Sequence, residues 1–142
     1  KAIASFIIAT GSAAMGKKVT MFFTFWGLSV IKKQEKIRVK KNLIEKMFDM
    51  MLPSRANKLP LSRMNMAGMG PLMHKKIMKD KNDDSIDLLI KHAMDMGVNL
   101  VACTMSMDLM GIKEEELLDG VEFGGVAAYL GAAEDSGVNL FI

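Results

Sequence analysis

The sequence predicts an α/β fold, a doubly wound and mostly parallel sheet with helices on both faces. Two segments, VTMFFTFWG and VNLVAC, are short apolar runs of the kind found in strands that are covered on both sides. Segments with apolar residues at helical spacing precede, separate and follow them. This alternation of helices and strands indicates parallel strands joined by right-handed crossovers.

Residues 1–18 predict one helix followed by a turn. Apolar residues lie almost all round this helix, so we expect it to be well buried and to end at Gly16. Its last part, GSAAMGKK, nearly matches a phosphate-binding loop. However, Lys18 stands where that motif needs a hydroxyl, and the segment follows a helix and precedes a strand, which reverses the motif's order. We therefore interpret it as a helix-to-strand turn.

The middle of the chain is less regular. Residues 37–51 predict an amphipathic helix, and Pro71 is well placed to begin a short helix through Lys79. Between them, residues 52–70 form a Met-rich segment without a steady period, which predicts an irregular arm. Methionine fills core gaps and also lines adaptable binding surfaces. The alternatives for the arm are therefore packing in the core or between subunits, binding a partner, or covering the site.

Regular structure returns in the second half. DDSIDLLIKHAMDMG predicts an amphipathic helix closed by Gly97, and VNLVAC follows as a strand. One or two short helices are predicted over residues 105–118, then a helix at VAAYLGAAEDSG and a last strand at VNLFI. Three strands make a thin sheet for so many helices, and residue 1 falls inside a predicted helix. We therefore expect a first strand upstream of residue 1, pairing beside VTMFFTF or VNLVAC.

The composition predicts a single globular domain over residues 1–142. Half of the 142 residues are hydrophobic and a quarter are charged, which is ordinary for a folded domain. The net charge of +3 gives no argument for nucleic acid binding. Lys17 and Lys18 divide the first apolar stretch into pieces too short to span a membrane, so membrane contact is not predicted. One basic stretch predicts either a solvated helix face or a surface for an acidic partner; it contains Lys32, Lys33, Lys36, Arg38, Lys40, Lys41 and Lys46.

Cys103 is the one cysteine of the chain, which excludes an internal disulfide and favours a reducing cytoplasm. A free cysteine is often an inert core residue. Cys103, however, ends a predicted strand just before a helix, and ligands of open α/β sheets bind at the carboxyl ends of strands. We expect its sulfur to face a crevice there. The FFTFWG segment should bring Thr24 and Trp26 to the same edge, beside Thr104 and Ser106.

No metal site is predicted. His74 and His92 are the only histidines, and a zinc site would need both to converge with Cys103 and a carboxylate. His92 lies beside the apolar stripe of its helix, whereas His74 is surrounded by lysines. Nothing in the pattern brings these side chains together.

Several separated stretches resemble the DsrE/DsrF-like family, in its sulfur-relay or peroxiredoxin-like branch: FFTFWGL, KLPLSRMNMAGMGP, ACTMSMDLMGI, GGVAAYLGAA and NLFI. The resemblance covers nearly the whole chain. It implies a flavodoxin-like sheet, association into homo-oligomers, and a catalytic cysteine that carries sulfane sulfur as a persulfide. Cys103 alone matches that cysteine. Because the chain has no second cysteine, the resemblance gives little support for peroxiredoxin chemistry.

The resulting hypothesis is a cytoplasmic sulfur carrier. Cys103 would accept sulfur from a rhodanese-like or TusA-like protein, hold it as a persulfide and pass it to another thiol, with no metal or organic cofactor. The alternative is a binding or assembly module that uses the Met-rich arm, with Cys103 in a structural role. The fold also permits a flavin or nucleotide, although no motif requires one.

Overall fold

The computed structural model describes residues 1–33 and 86–140. In chain order, the elements are α1 (Ala2–Ala14), β1 (Thr20–Phe23), a 3-10 helix (Phe25–Ile31), α2 (Ile86–Asp95), β2 (Asn99–Cys103), α3 (Thr104–Met110), a short 3-10 turn (Glu114–Glu116), β3 (Glu122–Gly124) and α4 (Val126–Glu134). The helices predicted at 37–51 and from Pro71, and the arm predicted at 52–70, lie outside the described residues.

The three strands form an open parallel sheet in the order β1-β2-β3, with β2 in the centre. Thr20 pairs with Asn99 at the start of β1, and Cys103 pairs with Gly124 at the end of β2. Helices lie on both faces of this sheet. The predicted α/β architecture of the flavodoxin-like kind is therefore confirmed.

Helices α1 and α2 cover one face of the sheet and build the core. They pack against each other, and the ring of Phe6 in α1 stacks on Phe23 of β1 at a centroid distance of 6.1 Å. The apolar stripe of α2 contributes Ile86, Ile90 and Ala93 to this core, as predicted, and the helix closes at Gly97, whose φ of 77° suits glycine. The apolar residues of α1 are less buried than predicted. Its buried residues are Phe6 and Ala9, and its opposite side is exposed.

Helix α4 covers the other face. Tyr129 of α4 meets Phe22 of β1 with ring centroids 5.4 Å apart, and an added Cβ on Gly124 would lie 3.0 Å from the Cβ of Ala128. None of the residues of α4 is buried. The helix therefore approaches the sheet closely at Gly124, where there is no room for a side chain.

Replacing Gly124 with alanine is expected to lower the free energy of unfolding by about 1–3 kcal/mol, the usual cost of overpacking. The new methyl group would meet the Cβ of Ala128 at 3.0 Å and Cγ1 of Val101 at 3.2 Å, and neither atom is the end of a flexible side chain. Urea unfolding followed by circular dichroism measures the change. Gly125→Ala is the matched control, because nothing lies within 4 Å of its added Cβ. Its expected cost is at most about 1 kcal/mol, from a poorer helix N-cap. Equal losses in both variants would contradict this account.

Two strand predictions are wrong in detail. Strand β1 ends at Phe23, and the rest of the predicted strand turns into the 3-10 helix, which buries Leu28 and Ile31 against the core. The third described strand is Glu122–Gly124, whereas residues 138–140 of the predicted strand VNLFI have no regular structure and are exposed, and its last two residues lie outside the described part of the chain. The helix-to-strand turn at residues 15–19 and the short helices after Cys103 were predicted correctly.

A buried ion pair holds the end of the 3-10 helix. Lys32 Nζ lies 3.2 Å from Glu116 Oε1, and the two side chains are 7% and 9% exposed. The Lys33 N–H donates to the Glu116 carbonyl at 2.8 Å, and the Leu118 N–H donates to the Ile31 carbonyl at 2.9 Å. Lys32 is therefore an internal residue and not part of a solvated basic face. The basic residues after Lys33 lie outside the described part of the chain.

Within residues 1–33 and 86–140, no helix has both the length and the apolar character needed to cross a membrane.

Candidate functional site

Cys103 is the last residue of the central strand and also the N-cap of helix α3. Strand β2 is buried from Leu100 to Cys103 because neighbouring strands flank it and helices cover both of its faces. The chain turns directly from strand to helix at this point. The first N–H groups of a helix have no partner within the helix, but the Cys103 side chain makes no capping hydrogen bond to them.

The register of the sheet brings the ends of all three strands to one edge. Phe23 pairs with Ala102, so Thr24 comes level with Cys103 on one side. On the other side Cys103 pairs directly with Gly124, and Gly125 then begins helix α4. Neighbouring strands lie about 4.8 Å apart. In the sheet, Cys103 therefore lies between the half-buried Thr24 on one side and Gly124 and Gly125, which have no side chains, on the other.

The other predicted site residues lie on the two elements that follow β1 and β2. Trp26 is in the 3-10 helix and is 53% exposed, whereas Thr104 and Ser106 begin helix α3. The 3-10 helix packs against both α3 and β2, so the structure brings these segments together. Thr104 is exposed and Ser106 is buried.

The thiol is less accessible than the sequence suggested. Cys103 is 3% exposed, so it does not face an open crevice in this structure. Burial of the thiol comes from its place in the central strand. Approach by a second molecule therefore requires a local movement of the surrounding edge.

Two features of this edge were not predicted. Phe25 has a φ of 43°, a left-handed backbone conformation that is strained for a bulky residue and that often occurs at functional sites. Ser29, in the same 3-10 helix, is fully buried, and its hydroxyl has no hydrogen-bond partner among the described residues. Neither feature leaves a sequence signal, because both depend on how the 3-10 helix packs.

The described residues contain no group of three or more His, Cys, Asp or Glu side chains placed to hold a metal ion. His92 lies on an exposed face of α2, and His74 is outside the described residues. The grouping of Cys103 with the hydroxyl groups of Thr24, Thr104 and Ser106 and the indole of Trp26 in one site stays a prediction.

The fold and the site together describe a parallel α/β protein that bears its one thiol at the end of the central strand. The chain belongs to the DsrE/DsrF/DrsH-like family, whose model matches residues 1–141. It is 54% identical to the protein YrkE of Bacillus subtilis over the whole chain and 89% of that relative. It is also 36% identical to the sulfur carrier protein DsrE2 of Allochromatium vinosum, over 96% of this chain and 87% of that relative.

Proposed function

We propose that this protein is a sulfurtransferase that carries sulfane sulfur as a persulfide on Cys103 and relays it between thiol proteins. Membership of the DsrE/DsrF/DrsH-like family and the 36% identity to a sulfur carrier protein support a role in sulfur relay. The observation that carries the proposal is the position of Cys103. The one thiol of the chain ends the central strand, at the edge where open α/β sheets bind their ligands.

The loading step is an exchange between a thiolate and a persulfide. The Cys103 thiolate attacks the outer sulfur of a donor persulfide, so that a bond forms between that sulfur and Sγ while the donor's sulfur–sulfur bond breaks. The electron pair of the broken bond leaves with the donor as its thiolate, and the proton stays on the transferred sulfur. Release to an acceptor is the same exchange in reverse. Atoms and charge balance without a metal, an organic cofactor or an external oxidant.

The neighbouring side chains have supporting roles in this proposal. The hydroxyl groups of Thr24, Thr104 and Ser106 can donate hydrogen bonds to the anionic sulfur. Trp26 would form an apolar wall that limits water at the thiol. Rhodanese-like or TusA-like proteins are the proposed sulfur partners, and we expect the carrier to act in the cytoplasm as a homo-oligomer.

The burial of Cys103 favours a second candidate function, an assembly module in which the cysteine is structural. The two candidates differ in the reactivity of the native thiol. A carrier thiol must become accessible in the folded protein, and iodoacetamide should therefore alkylate it without denaturant. A structural thiol should react only after unfolding.

The experiment that tests the carrier function measures both the uptake of sulfur by the protein and its release to an acceptor. The protein is incubated with sodium polysulfide, freed of the donor, and mixed with a thiol acceptor such as dithiothreitol. Intact-mass spectrometry should show the gain of one sulfur atom and then its loss. Prior alkylation of Cys103 should block the gain. A protein that never gains sulfur, or that keeps it in the presence of excess thiol, is not a relay.

A further inference from the structure

Four apolar side chains are exposed beside the candidate site, and we call them the apolar rim. They are Phe25 and Trp26 in the 3-10 helix, 50% and 53% exposed, and Met105 and Leu109 in α3, 57% and 59% exposed. Met105 and Leu109 are four residues apart and so share one face of the helix. Large apolar side chains grouped on a surface commonly mark a binding site.

The two segments that carry the rim begin at the sheet edge where the strand of Cys103 ends. Thr24 lies level with Cys103 at the ends of neighbouring strands. Phe25 and Trp26 come directly after Thr24, and Met105 comes two residues after Cys103. Both segments of the rim therefore start at the same edge of the sheet. The two elements also pack against each other. The left-handed backbone at Phe25 turns the chain at this point and costs conformational strain, which the protein maintains beside the thiol.

The segments that carry the rim have one charged side chain between them, and it is negative. Residues 24–31 and 103–110 contain a single charged side chain, Asp108, which is exposed on α3. Asp108 is three residues from Met105 and next to Leu109, and a carboxylate there repels the anionic groups of small sulfur donors such as glutathione persulfide or thiosulfate. It attracts a lysine or arginine on a partner. Exposed aromatic and methionine side chains are also typical of protein contact surfaces.

We propose that the apolar rim is the docking surface for a donor protein whose persulfide cysteine is flanked by apolar side chains and a basic residue. This inference rests on the proposed carrier function and specifies its substrate class. The flanking apolar residues cover the rim, and the basic residue pairs with Asp108. The docked persulfide is then held at the strand end, and a local movement of this edge exposes the buried Cys103 thiol to it.

The test compares three synthetic pentapeptide persulfides of equal length. The parent peptide has leucines on both sides of the persulfide cysteine and one lysine. One variant has serines in place of the leucines, and the other has glutamate in place of the lysine. The measured quantity is the second-order rate at which Cys103 gains sulfur, followed by rapid quenching and intact-mass spectrometry.

We expect the serine peptide to load about tenfold more slowly than the parent, because it buries less apolar surface on the rim. The glutamate peptide should load about threefold more slowly, with a smaller difference at high salt, as for an exposed charge pair. Met105→Ser should weaken the preference for leucine, and Asp108→Asn should remove the preference for lysine.

Met15→Ser is the matched control for Met105→Ser. Met15 is 76% exposed, and it lies at the end of α1, near the amino ends of the strands and away from Cys103. This variant should keep both peptide preferences. If the three peptides load wild-type protein at the same rate, the rim is not a docking surface, although the carrier function stands. If neither the peptides nor sodium polysulfide loads Cys103, the carrier function and the docking proposal both fail.

Discussion

Replacing Cys103 with alanine or serine is expected to abolish sulfur uptake completely. The chain has no other thiol, and neither a methyl group nor a hydroxyl can hold sulfane sulfur as a persulfide. The wild type and both variants are incubated with sodium polysulfide, and intact mass is recorded before and after reduction. Wild-type protein should gain one sulfur atom that a reductant removes, whereas both variants should keep their original mass.

Two substitutions are needed because Cys103 is 3% exposed. Serine would place a hydroxyl where the thiol is buried, and the desolvation of an unpaired hydroxyl costs about 1–3 kcal/mol. Alanine adds no polar group and leaves only a small cavity. A folded alanine variant without sulfur therefore assigns the loss to chemistry. Sulfur uptake by the alanine variant would refute the carrier proposal, as would an unreactive thiol in the native wild-type protein.

Glu116→Leu is expected to lower the free energy of unfolding by about 3–5 kcal/mol, because it leaves the Lys32 ammonium buried without its carboxylate. Lys32 Nζ lies 3.2 Å from Glu116 Oε1, and both side chains are almost entirely removed from water. Glu116 Oε2 also accepts the Lys113 N–H at 3.0 Å, so the leucine variant loses a second interaction. Chemical denaturation monitored by the fluorescence of Trp26 measures the change.

The double variant Lys32→Met with Glu116→Leu measures the net contribution of the ion pair to the free energy of unfolding. The single variant measures instead the cost of leaving one buried charge without its partner. Replacing both charges with apolar groups of similar volume is often neutral or stabilising, so this variant should recover most of the lost stability. Lys33 and Asp119 form a matched surface pair at 2.9 Å, with Asp119 95% exposed. Asp119→Asn should change stability only slightly, because solvent screens this pair. A Glu116 effect as small as that of Asp119 would contradict the internal role of the buried pair.

The strongest periodic elements were predictable from the sequence. Helix α2 has an apolar stripe and a closing glycine, and strand β2 is a short apolar run after it, so local pattern and tertiary packing agree. Strand β3 has only three residues, of which Glu122 and Phe123 are exposed, and pairing with β2 alone identifies it. VNLFI has the better strand pattern, yet its described residues lie exposed outside the sheet. Short pairings depend on neighbours far away in the sequence, which composition does not show.

The site was predictable in its position and not in its surroundings. An apolar run followed by polar residues marks the end of a buried strand, which is why Cys103 could be placed at the carboxyl edge. The same reasoning extended β1 through the aromatic residues that instead form the 3-10 helix. Lys32 belonged to a run of basic residues and gave no sign of its burial, because its partner Glu116 is distant in the sequence. Burial and ion pairing arise from tertiary contacts.

The parallel pairing of β1 with β2 also constrains how the chain reaches its native state. Thr20 and Asn99 are roughly 80 residues apart, and such non-local contacts form slowly because a long loop must close first. Residues 86–140 contain β2, β3 and their connecting helices at much shorter separation, so this part can assemble early. During synthesis, at about 5–20 residues per second, β1 emerges several seconds before its partner strand. Until then β1 has no partner in β2, and the stacking of Phe6 on Phe23 is the local contact that can already cover part of its apolar surface.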